Sequence, residues 1–217
     1  MTTIDRQTPS DTRIGSPRPA WTRWALAAGL AAVAVVVGLL LPDATSRKGA
    51  GDGAMTHYMG LLAANQPWNL LLFMAVPVIL AETLAITELA LLFTSDSPTV
   101  VHQLNRWAGL VAGVWFTGIV AYLLVNAAIP LTTDGGWRGT GDLLAVGSYL
   151  LGIVPLAGIT LIELGVLGRG SARERAKLHA IFVGIFLVVA HIAMIFGMLD
   201  PSLLGWHHDG HTPGMNM

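Results

Sequence analysis

Apolar and polar positions along the chain fall into long blocks rather than alternating. Four apolar runs stand out, at about 69–93, 106–129, 142–167 and 178–199, and a shorter one extends from Trp24 to Leu41. Each of the four is long enough for the ~20 residues that carry a helix across the hydrocarbon core of a bilayer. Period-2 alternation is absent, so the runs read as helices and not as the strands of a barrel. The first run is marginal in length and ends at Pro42-Asp43. Its basic flank and short apolar core also describe a signal peptide, but no small-residue cleavage site follows, so it reads as an uncleaved first helix. The predicted fold is all-α, a polytopic transmembrane helical bundle with a four-helix core plus an N-terminal helix.

The polar stretches divide the chain further. Residues 1–22 are rich in Pro, Ser, Thr and Arg and offer no apolar face, which predicts a disordered tail. The first helix or signal anchor occupies 23–42, and a Gly/Ala/Asp linker occupies 43–54. The core fills 55–205, opening with a short interfacial helix over 55–64 that Asn65-Gln66-Pro67 stops. A His- and Met-rich tail, 206–217, closes the chain. Pro98, Pro130 and Pro201 are expected in or just beyond the connections, where a missing N–H is harmless. Short connections make successive helices antiparallel neighbours.

Charge sets the orientation. With the N-terminus inside, the inner segments hold Arg6, Arg13, Arg18, Arg23, Arg106, Arg169, Arg173, Arg175 and Lys177, and the outer ones only Arg47, Lys48 and Arg138. This bias predicts a multi-pass protein of the cell membrane with a cytoplasmic N-terminus and the C-terminus outside. Composition agrees: 53% of residues are hydrophobic and 12% charged, about half the ~25% charge of a soluble domain. Mean hydropathy is +0.63. Lipid is therefore the first partner, with a second copy or another membrane subunit as further ones. A net charge of −1 argues against nucleic acid. The absence of cysteine excludes disulfides, thiolate catalysis and Cys-ligated metal sites.

Ionisable residues inside apolar runs are the places to look for chemistry, because a carboxylate at the bilayer centre costs at least ~2.5 kcal/mol. Glu82 sits near the middle of the second run, five residues after Pro77, which withholds the N–H that the Phe73 carbonyl would accept. Proline plus carboxylate in one span is a recurrent way to build an ion site. Glu88 lies six residues on, about 120° around the helix and ~9 Å along it. Glu88 and Glu163 lie nearer the cytoplasmic ends, where pairing with Arg106 or the loop around Arg173 gives them a structural role. His191 lies in the outer half of the last run. With Glu82, Glu88 and Glu163 it makes the set of transport or proton candidates.

Two other chemistries are open. His57 and His191 toward the outside, and His102 and His179 toward the cytoplasm, make two histidine pairs at two depths, the pattern of a haem b membrane redox subunit. The tail carries His207, His208, His211, Met215 and Met217, which with His57 suit Cu, or by imidazole alone Zn. Gly109 and Gly113 form G-x-x-x-G, and Ala176, Ala180 and Gly184 form a small-residue stripe; both are packing signals. A weak internal repeat pairs Pro77 and Thr87-Glu88-Leu89 with Pro155 and Ile162-Glu163-Leu164.

The stretches Met55-Thr-His-Tyr-Met59, Asn65-Gln-Pro-Trp-Asn69 and Ala81-Glu-Thr-Leu-Ala-Ile-Thr-Glu88 resemble a family of small bacterial membrane proteins loosely labelled permeases. The resemblance covers about 55–205 and implies membrane residence and a permease label, with no site residues. The leading reading is a permease-like protein that moves a small ion or solute near Glu82 and His191. A haem- or metal-dependent redox subunit and a non-transporting accessory subunit are the alternatives. No catalytic residue is assigned.

Overall fold

The computed structural model describes residues 19–42, 55–94, 98–168 and 170–206, and among them every regular element is helical. Five helices are long and apolar enough to cross a bilayer. They are α1 (Ala20–Leu40) and, after the short α2 (His57–Ala63), α3 (Trp68–Phe93), α4 (Thr99–Thr133), α5 (Gly139–Glu163) and α6 (Ala172–Met198). The chain is a helical membrane bundle. One end carries Arg106, Arg173, Arg175 and Lys177 and is called the basic end below; the far end carries Trp68, Thr133, Gly139 and Met198. Ala20, Trp21 and Thr22, expected in a disordered tail, are the first turn of α1, where the Thr22 hydroxyl donates to the Pro19 carbonyl at 2.7 Å. Most of the expected N-terminal tail, the 43–54 linker and residues 207–217 lie outside the described residues.

Prolines shape the spans from within. In α3 a π-helical turn, Leu71–Ala75, directly precedes Pro77. Pro77 has no N–H, so neither the Phe73 carbonyl four residues back nor the Leu72 carbonyl five back gains a helical partner from it. Both find partners across the bundle. The Tyr149 hydroxyl donates to the Phe73 carbonyl at 2.6 Å, and the Trp115 indole N–H donates to the Leu72 carbonyl at 3.3 Å. The kink thereby ties α3 to α4 and α5. Pro130 is a correction: instead of lying in a connection it sits inside α4, which continues to Thr133 through a second π-helical turn, Leu124–Ala128. In membranes such a proline is tolerated where local π adjustment and side chains satisfy the freed carbonyls. α5 breaks at Gly152, where a Cβ would come within 3.3 Å of the Phe116 ring.

Small residues set the closest helix contacts. A Cβ on Gly113 would collide with the Thr160 side chain, and the Thr160 hydroxyl donates to the Gly109 carbonyl at 3.0 Å. The G-x-x-x-G pair thus joins α4 to α5 within one chain. Gly38 of α1 meets Gly118 of α4 backbone to backbone. Between the two ends, Phe73, Phe116, Tyr149 and Phe186 fill the core, with the Phe116 and Tyr149 ring centroids 5.1 Å apart. This aromatic layer separates a polar cluster at the basic end from another at the far end.

Candidate functional site

Near the basic end, one polar residue from each of the four core spans meets in the interior. Glu88 continues the buried stripe of Pro77, Ala81 and Leu84 along α3, and Asn105 begins the stripe of Ala108, Gly109 and Ala112 along α4. Glu163 ends α5. His179 opens the inward face that Val183 and Phe186 extend along α6. The His179 Nδ1 lies 2.8 Å from Glu88 Oε2, and Nε2 lies 3.5 Å from Glu163 Oε1. The three side chains are only 5%, 8% and 14% exposed for His179, Glu88 and Glu163. Asn105 Nδ2 donates to Glu88 Oε2 at 3.1 Å and to the Thr87 hydroxyl at 2.9 Å. Neither imidazole nitrogen is aligned for a regular hydrogen bond, so proximity joins the ring to its carboxylates.

This replaces the expected partners of the two lower glutamates. Arg106 follows Asn105 by one residue, a turn of ~100° around the helix, and is exposed instead of facing Glu88. Glu88 and Glu163 address one histidine. The two hairpins that carry the weak repeat thus bring their terminal carboxylates to a common point.

Glu82 and His191 are also brought together, but on the outside. Both are exposed, and both line a cleft of about 140 Å³ between α3 and α6. The Pro77 kink supplies no free carbonyl to this cleft, because Tyr149 and Trp115 occupy the Phe73 and Leu72 carbonyls. Glu82 and Glu88 are separated around α3 as their spacing predicts, one facing out and one in. The His191 Nδ1 lies 2.6 Å from the Leu187 carbonyl one turn back.

At the far end Asp142 is wholly buried and holds three groups. It accepts from the His57 backbone N–H at 2.7 Å and the Arg138 backbone N–H at 3.2 Å, and its Oδ2 lies 2.6 Å from the His57 Nδ1. His57, 23% exposed, borders a cavity of about 250 Å³ beside Arg138 and Asp134. Arg138 in turn donates to the Met55 carbonyl and faces the Trp206 ring, 6.0 Å from its centroid. Burial pushes the neighbouring Tyr58 phenol from 10.0 up to about 12.

The four histidines of the haem reading occupy different settings. His57 and His179 each face carboxylates, while His102 and His191 are exposed. Among the described residues no group of three or more His, Asp or Glu side chains is arranged to hold a metal ion. The tail ligands His207, His208, His211, Met215 and Met217 lie outside the described residues.

Sequence reasoning missed Asn105 and Asp142. Asp142 opens an apolar run, and the cost of a carboxylate there was an available signal, whereas Asn105 stands among His102, Gln103 and Arg106 and reads as part of a polar boundary. A family model described as a family of unknown function matches residues 53–213, which is the core without α1. No curated protein and no solved structure matches the chain.

Proposed function

The chain belongs to this family of unknown function (DUF6803), and we propose that it is a permease-like membrane protein coupled to protons, with Glu88, His179 and Glu163 as the exchange site. The observation that carries this reading is the convergence of two carboxylates on one buried imidazole. Fully charged, the cluster has a net charge of −1 in a region where burying charge costs several kcal/mol per ion. One added proton makes it neutral but removes an attraction. Two charge states thus compete, separated by a single proton, and that is what a coupling site requires. Asn105 holds Glu88 in place, while Glu163 is the most exposed of the three and gives the cluster its route to water at the basic end.

The reading includes an orientation: the basic end cytoplasmic and the C-terminus outside. The aromatic layer over the cluster keeps the resting path closed, so transport requires α3 and α6 to shift against α4 and α5. Proton flux tests the reading without a known solute. Purified full-length protein is placed in liposomes with an internal pH dye, and a potassium diffusion potential drives the protons. Dye-reported acidification above protein-free liposomes is expected, and it should vanish in Glu88→Gln and Glu163→Gln protein of unchanged helicity. Equal flux in both variants would reduce the cluster to a structural clamp, the behaviour of an accessory subunit.

A further inference from the structure

We infer that the cleft between α3 and α6 binds a small lipophilic amine in its protonated form, which would be the cargo of the proton-coupled protein proposed above. For turnover the inference rests on that reading; as a binding site it stands on its own geometry. The cleft, about 140 Å³, reaches inward to Phe73, Phe116, Tyr149 and Phe186. Those walls favour an aromatic or aliphatic body, and aromatic faces attract a cation. At its mouth stand Glu82 and His191, both exposed, with Glu82 near the middle of α3.

The hydrogen-bonding character of this mouth selects among ligands. A carbonyl only accepts, so the 2.6 Å contact to Leu187 places the proton of a neutral His191 ring on Nδ1. Nε2 then presents a lone pair. An ionised Glu82 is likewise an acceptor only. Two acceptors beside an apolar cleft fit a ligand with N–H donors, positive charge and a lipophilic body. A carboxylic acid of the same shape would set like charges together. Glu82 lies where lipid gives a carboxylate no partner, so an ammonium group relieves a cost that the chain otherwise bears.

The residue pattern also separates binding from coupling. Glu82 and Glu88 lie ~120° apart around α3 and ~9 Å apart along it, so one can be changed while the other stays in place.

Equilibrium dialysis of 2-phenylethylammonium against the full chain in lipid nanodiscs tests the site, with 3-phenylpropionate as a probe of similar size and opposite charge. The wild-type protein should bind the amine saturably and not the acid. Losing a charged hydrogen bond should weaken binding by roughly tenfold or more in Glu82→Gln. His102→Gln, an exposed change near the basic end, should bind the amine as wild type does. His191→Phe, which keeps a ring but removes the acceptor, should weaken binding less than Glu82→Gln. Absent saturable binding, equal binding of the acid, or binding unchanged in Glu82→Gln each overturns the inference. If amine binding fails while proton flux persists, the site is wrong and the coupling reading stands. Glu82-dependent binding without proton flux, even with the amine supplied to the liposomes, would establish the cleft as a binding site and overturn the coupling.

Discussion

Tyr149 is the residue through which a local helix defect becomes tertiary structure. Its hydroxyl is bonded to a carbonyl that Pro77 leaves without a helical donor, inside an apolar core. Tyr149→Phe should therefore lower stability by about 1–3 kcal/mol, the cost of an unsatisfied buried acceptor. Trp115→Phe should cost less hydrogen-bond energy, since its bond is longer at 3.3 Å; thermal unfolding in detergent compares the two. His179 obeys a sharper rule. Its removal takes away the group that two buried carboxylates share, so His179→Ala should destabilise by about 3–5 kcal/mol. Adding Glu88→Gln should restore much of that loss, and the same melts show it. Tyr58 supplies a pH-dependent term. Its phenol is raised from 10.0 to about 12 by burial, so folding holds its proton more tightly than the unfolded chain does. The associated stability is complete below pH 10 and is lost as pH climbs through about 12. Phenolate absorbance in wild type minus Tyr58→Phe should accordingly appear near pH 12 and not near 10.

At the level of elements, glycines divide into those that helices touch and those they do not. Gly113 has Thr160 and the Leu156 carbonyl where its Cβ would be, while Gly147 has nothing within 4 Å. Gly113→Ala should push α4 from α5 at a cost of about 1–3 kcal/mol. Gly147→Ala should be neutral or gain ~0.5–1 kcal/mol of helix propensity. Unfolding midpoints of the two variants should move in opposite directions, or that of Gly147→Ala should stay still. The spans themselves were legible because lipid demands unbroken apolar runs, although α4 begins at Thr99 and α6 at Ala172, ahead of the runs expected from 106 and 178, and α4 also continues past Pro130. There the sequence points to an end near Pro130, because a proline reads as a boundary in water, whereas a π-helical turn carries the helix through it. Which glutamate faces inward was not legible. In a bundle that lipid surrounds, inner and outer faces are both apolar, so the ~120° between Glu82 and Glu88 can be read but its direction cannot. The meeting of Glu88, Glu163 and His179 was hidden for a related reason: three helices supply it from distant parts of the sequence. Only the fold closes those gaps.

Taken whole, the molecule is a four-span core with one added helix. The family match begins at residue 53, beyond α1, and α1 meets α4 through Gly38 and Gly118. A chain starting at residue 53 behind a start methionine should still insert and keep its helical content per residue, as circular dichroism in detergent can verify. The proposed orientation rests on charge, and it predicts that a reporter fused after Met217 is active outside the cytoplasm; cytoplasmic activity would reverse the assignment of both ends. In the proposed function the Glu88–His179–Glu163 cluster takes up and releases a proton while buried. Infrared difference spectroscopy of the intact protein in nanodiscs, recorded across a pH step, observes that proton directly. A carboxylic-acid carbonyl band that changes with pH, and is lost or shifted in both Glu88→Gln and Glu163→Gln, is the predicted result. A difference spectrum that is the same in wild type and in both variants contradicts it, because the two carboxylates would then keep one protonation state throughout.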